Sequence, residues 1–245
     1  MAKAYRGLQR FDEALRECAA AAAGYEVLVK EFPQRPAYAW ERSMVEFEAG
    51  QTAEAAGRGD AAIAHYRDAL ARHTALIAGA PEQHEFASEG AVFATRLAAL
   101  LQLRAEDAEV ERVLRQGLRW QEPIWALNPA DANWYDVLRQ LRNQLGRHLL
   151  DHDRPQDAVP LFAAMVEAAP RDPDPDTGRA RQRHAYAVQM LAVAHAMADD
   201  PEPAVAALGR LLELAPTTRA QLLDLGTDLH LADRADFQAL LARAK

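Results

Sequence analysis

The residues of this sequence that could bind a metal are two histidines on one predicted helix. His148 and His152 are four residues apart, so both imidazoles would project from the same helix face. The metalloprotease pattern requires a glutamate directly after the first histidine, and Leu149 stands there instead. Because no third ligand can be identified, the sequence favours a solvent-exposed pair at a helix end. We predict no metal and no cofactor.

The potential nucleophiles do not form a recognisable catalytic arrangement. Cys18 is the single cysteine and lies among alanines, which predicts a small buried thiol and excludes an internal disulfide. Serine and threonine are few, and no Gly-x-Ser-x-Gly pattern occurs. The sequence therefore predicts a protein that is not an enzyme. A helical metal-binding or enzymatic domain is the less favoured alternative.

Three arginines follow an acidic, proline-rich link. Arg179, Arg181 and Arg183 come after the segment 171–176, whose sequence is Arg-Asp-Pro-Asp-Pro-Asp. They could form a patch that binds an anion or an acidic partner. We favour the simpler interpretation, a solvated helix start whose charge is offset by the nearby aspartates.

The composition predicts helices and excludes several classes of partner. Of the 245 residues, 50% are hydrophobic but only 7% are aromatic, a mixture that favours helices over a β-sandwich. The net charge of −8 predicts no nucleic acid partner and no anionic membrane surface as a partner. No run of 18 apolar residues occurs, and the first residues lack the apolar stretch of a secretory signal. These features predict a cytoplasmic protein.

An internal repeat organises the whole chain. Five similar segments end at residues 15, 63, 110, 159 and 205, which are 48, 47, 49 and 46 residues apart. Each segment leads into an apolar helical stretch that ends at a proline. These prolines are Pro33, Pro81, Pro129, Pro170 and Pro216. Because repeats of this length usually form one supersecondary unit each, we predict a stack of helical hairpins.

The second repeat illustrates the predicted hairpin. Apolar spacing predicts a first helix over residues 36–55, a break at 57–59, and a second helix that stops at Ala80 and Pro81. Acidic and hydroxyl side chains are expected to cap the helices. The predicted N-caps are Asp60, Asp131, Asp153, Asp176 or Thr177, Asp200 and Thr217.

The later repeats resemble tetratricopeptide repeats (TPRs). Leu145-Gly146 matches the Leu-Gly of the family's first helix, Ala158 the alanine that opens the second helix, and Pro170 the closing proline. Leu191-Ala192, Ala204 and Pro216 keep the same steps, and Leu225-Gly226 begins a sixth, partial unit. The resemblance implies an all-α, right-handed α-solenoid of antiparallel helix hairpins, with about five repeats plus a C-terminal partial repeat. It predicts one domain, 1–245, with approximate units 1–33, 34–81, 82–129, 130–170, 171–216 and 217–245.

The long period of the first repeats resembles a subgroup of this family. Repeats of about 48 residues, with a junction such as Leu28 to Tyr38, are similar to TPR arrays fused to bacterial Ser/Thr protein kinases. No kinase motif is present, so the resemblance implies a regulatory or docking region without kinase activity. The first repeat is short, which favours a chain that is part of a longer protein over one that starts with a capping helix.

The resemblance also implies a function and a set of candidate binding residues. TPR proteins hold peptides or protein segments on a concave surface lined by first helices, which predicts a non-catalytic scaffold with a protein or peptide partner. Asn143 and Arg147, one turn apart, resemble half of the family's carboxylate clamp, but neighbouring repeats lack the other basic partners. A self-assembling architectural segment is the alternative. The candidate groove residues are Phe47, Gln51, Thr95, Gln102, Gln140, Asn143, Arg147, Tyr186 and Gln189.

Overall fold

The computed structural model of the protein describes residues 1–174, 176–215 and 219–244. Pro175, Pro216 and Thr217, which carry part of the link, proline and cap predictions, lie outside the described residues. The chain divides into two compact units, Met1–Leu127 and Asn128–Lys245. Each unit is built from helices, and the described residues contain no β-strand.

The first unit contains six helices that pack in chain order. They are α1 (Ala2–Gly7), α2 (Phe11–Glu31), α3 (Pro36–Ala55), α4 (Gly59–Gly79), α5 (His84–Gln102) and α6 (Asp107–Leu127). Helices α3 and α4 form one antiparallel hairpin, and α5 and α6 form the next. Packing of α2 on α3 and of α4 on α5 then joins successive hairpins.

The second unit repeats this arrangement with shorter second helices. Its helices are α7 (Ala132–Asp151), α8 (Pro155–Ala168), α9 (Thr177–Met197), α10 (Pro201–Leu214), α11 (Arg219–Asp228) and α12 (Ala235–Leu241), with a 3₁₀ turn at Ala169–Arg171. The hairpins α7/α8 and α9/α10 are joined by packing of α8 on α9, and α12 packs on both α10 and α11. None of the described helices is both long and apolar enough to cross a membrane.

The predicted fold class is therefore confirmed, because the chain is an all-α array of packed helix pairs. The second helices of successive hairpins begin 48, 48, 48, 46 and 34 residues apart. Helices α2, α4 and α6 have 21 residues each, whereas α8 and α10 have 14. The 48-residue period, compared with the usual 34 residues of a TPR, predicts about seven extra residues in each helix of the early hairpins. In the structure α3, α5, α7 and α9 all have 19–21 residues, so only the second helices shorten.

Each hairpin turns through the same backbone motif, although its residues differ. One residue in every turn has a positive φ of 53–70°, and the next N–H donates to the carbonyl oxygen five residues earlier. This is the Schellman motif, in which a left-handed residue ends the helix. The left-handed residues are Gln9, Gly57, Ala105, Asp153, Asp199 and His230. Since glycine occupies the position once, five turns adopt a conformation that costs L-residues energy.

Small residues of first helices pack against large residues of second helices. A Cβ added to Gly50 would lie 2.5 Å from the Tyr66 ring, and one added to Gly146 would lie 2.6 Å from the Phe162 ring. Both aromatic side chains are fully buried. Glycine is required at these positions because the ring occupies the space that a Cβ would need. The Leu-Gly match of the fourth repeat thus has a packing reason.

Of the predicted helix caps among the described residues, two are confirmed with a side-chain hydrogen bond, one is confirmed in position only, and two are wrong. The Asp131 carboxylate accepts from the Trp134 N–H, and that of Asp176 accepts from the N–H groups of Gly178 and Arg179. Asp153 is instead the left-handed turn residue, and Asp60 lies inside the first turn of α4. Asp200 occupies the N-cap of α10 without a side-chain capping bond. Arginine occupies the N-cap of α2, α4 and α8, directly after the left-handed residue of the turn. These N-caps were not predicted, because the Schellman turn and not a capping side chain fixes where these helices begin.

Candidate functional site

The first unit buries two of the four candidate groove residues that the sequence placed there. The Phe47 ring stacks on Phe93 with centroids 4.2 Å apart, and the Thr95 hydroxyl donates to the Val92 carbonyl oxygen at 2.7 Å. Phe47 is 8% and Thr95 is 6% exposed, so both side chains pack inside the unit and are not available to a ligand. These two assignments are corrected here.

The other two residues of the first unit are accessible to different degrees. Gln51 is half-buried, and its Oε1 accepts a hydrogen bond of 2.9 Å from Arg6 Nη1. Gln102 is exposed at the end of α5. The role of Gln51 and Gln102 in binding stays a prediction.

The second unit connects two of its candidates directly. The Tyr186 hydroxyl donates to Asn143 Oδ1 at 2.9 Å, which links α9 to α7. Gln140 Nε2 donates to Asp136 at 2.6 Å, and Arg147 is exposed on α7. The bond from Tyr186 uses only the Asn143 carboxamide oxygen and leaves its Nδ2 group as a donor, so a binding role for Asn143 together with Arg147 stays a prediction.

A groove between α9, α10 and α11 contains the remaining candidates. Its volume is about 750 Å³, and both Tyr186 and Gln189 line it. Leu211 and Leu214 from α10 and Leu225 from α11 give it an apolar part. Polar side chains stand on both sides, contributed by α9 and by α11. They are Arg181, Gln182 and Gln189 on α9, and Gln221, Asp224 and Asp228 on α11.

The sequence had signalled only part of this groove. Tyr186 and Gln189 were among the candidate groove residues that the resemblance implied, whereas α11 was predicted only as the start of a partial unit. The aspartates of α11 lie four residues apart, a spacing that places both on one helix face. That spacing was the available signal for the second wall.

The three arginines after the acidic link have three different environments. Arg183 forms two hydrogen bonds of 2.8 and 2.7 Å with the Asp172 carboxylate and a third of 2.8 Å with Asp174. The Asp172 side chain is only 2% exposed, so this is a largely buried ion pair. The bond to Asp172 raises the pKa of Arg183, which keeps it charged. Arg179 lies 3.6 Å from Asp174, and Arg181 lines the groove. The predicted offset by the nearby aspartates is found for Arg179 and Arg183, and Arg179 and Arg181 are exposed, whereas the Arg183–Asp172 pair is more buried than a solvated helix start would be.

A serine and a histidine meet in the core of the first unit. Ser43 Oγ lies 2.8 Å from His73 Nδ1 and 2.7 Å from the Trp40 carbonyl oxygen. His73 Nε2 lies 2.9 Å from the Phe86 carbonyl oxygen, an acceptor, so the proton resides on Nε2. Glu89 is 3.6 Å from the same nitrogen. Burial lowers the pKa of His73 to about 4, and the bond to Phe86 opposes part of that effect.

This serine–histidine contact has the atoms of a nucleophile and base but not the access. Both side chains are 0% exposed, so no substrate carbonyl can approach the Ser43 hydroxyl. Its role is to connect α3, α4 and α5 across two hairpins. The sequence did not signal it, because the two residues are 30 positions apart and belong to no motif.

The histidines of α7 differ in burial. His148 is 5% exposed, whereas His152 is exposed, and their ring centroids are 4.3 Å apart. His152 Nδ1 lies 2.7 Å from the His148 carbonyl oxygen, which it can contact as a hydrogen-bond donor. The prediction of a pair in solvent is therefore wrong for His148.

A second groove, in the first unit, is bordered by α2, α3 and α4 and has a volume of about 540 Å³. Its polar residues bond to one another, because Glu46 accepts from Arg42 at 2.6 Å and lies 2.7 Å from His65 Nδ1. Cys18 is buried beside it, and burial raises the pKa of the thiol to about 11, with the carboxylates of Glu48 and Glu46 adding to the effect. An unreactive thiol and internally paired charges make this groove the weaker candidate.

Comparison with known proteins supports the fold assignment. No protein-family model matches the sequence, and no curated protein matches it. A crystal structure of nearly identical TPR-like repeats from a Podosopora anserina kinesin light chain is similar, with a TM-score of 0.55 and 15% identity over 87% of this chain and 90% of that chain. A point variant of that protein gives a TM-score of 0.54 and 16% identity over the same shares, 87% and 90%. At these identities the likeness shows a TPR-like fold.

Proposed function

We propose that this TPR-like chain is a non-catalytic scaffold that holds a segment of another protein in the groove between α9, α10 and α11. The groove itself carries this proposal. It combines an apolar part, formed by Leu211, Leu214 and Leu225, with amide and charged side chains on both sides. An extended segment could place apolar side chains against the leucines while Gln182 and Gln189 bond to its backbone.

The helices around the groove are suited to positioning these side chains. Tyr186 is fixed by its bond to Asn143, and the first turn of α9 is capped by Asp176. The Arg183 ion pairs hold the link before α9 against the body of the unit. A preorganised helix loses less conformational entropy when a ligand binds than a mobile loop does. The fold class, in which protein binding is common, also favours this function over an enzymatic one.

The remaining finer assignments are part of this proposal. The proposal that this chain lies next to a bacterial Ser/Thr kinase domain in a longer protein is based on the 48-residue period and on the junction between Leu28 and Tyr38. A cytoplasmic location rests on the composition. Stacking of the repeats on a second copy is the alternative, and light scattering over a concentration range would reveal it as a rise in mass.

A capture experiment with one blocking variant tests the groove. Gln189→Trp would place a large ring in the groove, whereas Gln156→Trp adds the same ring to an exposed position of α8 that does not line it. Wild type and both variants, checked for equal helicity, are used to capture proteins from a lysate of the source organism. We expect a partner that is recovered by wild type and Gln156→Trp but lost with Gln189→Trp. Equal recovery of every protein by all three would contradict the proposal.

A further inference from the structure

The two sides of the α9–α11 groove carry opposite charges. Asp224 and Asp228 stand on α11, and Arg181 stands on α9. All three residues are exposed. None of the three forms an ion pair with another of the residues that the structure describes, whereas Arg183 and Arg234 of the same unit do. The charges of the groove are thus available to a ligand.

The geometry of α11 favours a cation between its two aspartates. Residues four apart on a helix are neighbours, with Cβ atoms about 6 Å apart. Two like charges at this spacing repel each other weakly, and a basic group placed between them removes the repulsion while contacting both carboxylates. The Arg181 guanidinium on the opposite side suits a carboxylate in the same way.

An extended chain can satisfy both sides at once. Successive side chains of an extended segment point in opposite directions, so a basic residue facing α11 places its neighbours toward α9. We propose that the groove selects a partner segment in which a lysine or arginine, held between Asp224 and Asp228, is followed or preceded directly by an acidic or amide residue that faces Arg181. This inference rests on the proposed function and specifies the chemistry of its ligand.

A displayed peptide library tests the inference. Phage carrying random 12-residue peptides are selected on the wild-type protein, and the enriched peptides are then tested on Gln189→Trp to identify those that require the groove. Their affinities are measured on Asp224→Asn with Asp228→Asn, at low and high salt. The control is Glu167→Gln with Glu213→Gln, which removes the same charge from exposed positions that do not line the groove.

We expect the groove-dependent peptides to be enriched in lysine or arginine. Loss of both aspartates should weaken them about 3- to 10-fold, because each exposed ion pair contributes a fraction of a kcal/mol, and raising the salt should reduce the difference. The glutamine control should bind like wild type. Replacing the lysine of such a peptide by glutamate should weaken its binding to wild type, and the Asp224→Lys variant should recover part of that loss.

The other outcomes separate the two proposals. Groove-dependent peptides without a basic residue, or with equal affinity for wild type and the aspartate variant, would overturn the inference and leave the scaffold function standing. If every enriched peptide also binds Gln189→Trp equally well, the groove is not a peptide site, and the proposed function and the inference both fail.

Discussion

Acidification should destabilise the first unit through His73. The imidazole is 0% exposed and lies among Ser43, the Phe86 carbonyl group and Glu89. Its pKa is lowered from 6.5 to about 4 by burial. The folded state therefore binds the proton less readily than the unfolded state, in which the imidazole is solvated. Stability contributed by neutral His73 is complete above pH 6.5 and is lost as the pH falls toward 4.

The size of this effect follows from the difference between the two pKa values. One unit corresponds to about 1.4 kcal/mol, so a shift from 6.5 to about 4 corresponds to about 3 kcal/mol. That is a large share of the 5–15 kcal/mol typical of a folded domain, as an order of magnitude. Below pH 4 the histidine is protonated in both states, and its contribution no longer changes.

Carboxylates titrate over part of the same range, so the comparison needs a variant. Burial raises the pKa of Glu89, which gives that residue a pH dependence of opposite sign. His73→Gln keeps an amide near Phe86 but removes the titration. His230→Asn is the control, because His230 is exposed and asparagine tolerates its left-handed backbone.

The assay is urea unfolding followed by tryptophan fluorescence and circular dichroism between pH 7.5 and 4. We expect the free energy of unfolding of wild type, minus that of His73→Gln, to fall by about 3 kcal/mol between pH 6.5 and 4. His230→Asn should follow wild type throughout. Parallel curves for wild type and His73→Gln would refute the reasoning, since they would mean that His73 accepts a proton as readily in the folded state as in the unfolded one.

Three further predictions concern the turns, the packing and the link. Ala105→Gly should stabilise the protein by about 0.5–1 kcal/mol, because relief of the left-handed strain exceeds the added entropy of the unfolded chain, and Gly57→Ala should destabilise it by a similar amount; thermal unfolding that moves both variants in one direction would contradict this. Gly146→Ala should lower the free energy of unfolding by about 1–3 kcal/mol, because the added methyl group clashes with Phe162. In a double-mutant cycle with Phe162→Leu, the coupling energy should be at least about 1 kcal/mol. Additive effects of the two substitutions would rule the clash out. Arg183→Gln should lower the free energy of unfolding in urea by about 3 kcal/mol, because it leaves a buried carboxylate unpaired. Arg183→Lys should lower it less, because lysine keeps the charge although it loses the two-point contact. Equal losses for the two variants would argue against a role for the charge.

The elements with strong periodicity were predictable from the sequence. The predicted first helix of the second repeat, residues 36–55, coincides with α3. The apolar stripe of the following helix is buried, with Ile63, Tyr66 and Leu70 between 0% and 5% exposed. Both features depend on local spacing and on proline or glycine at the ends, which a sequence displays directly.

Features that depend on contacts between hairpins were not predictable in the same way. The left-handed turn residue is glutamine, glycine, alanine, aspartate or histidine, so no residue type marks it. Phe47 and Thr95 were assigned to a surface because counting from a motif gives a helix position but not which neighbour covers it. The bonds between Arg183 and Asp172 join residues 11 positions apart through their side chains alone. The sequence shows only the charges, and these fit a solvated helix start equally well.

Unequal helix lengths explain where the groove lies. Helix α9 has 21 residues and α10 has 14, a difference of about two turns, or roughly 10 Å. Hairpin α3/α4, with 20 and 21 residues, has no such overhang.

The α7/α8 hairpin has the same mismatch, with 20 and 14 residues, but there the link before α9 covers the overhang. Burial raises the pKa of Tyr135, in the first turn of α7, to about 12, and Asp172 of the link adds to this effect through its charge and a hydrogen bond. In the α9/α10 hairpin, the corresponding turns of α9 contain Arg181 and Gln182. Among the described residues, these turns border an open groove. The shorter second helix therefore leaves about two turns of the first helix uncovered by its partner in both late hairpins, and among the described residues the link covers these turns in α7/α8 but not in α9/α10.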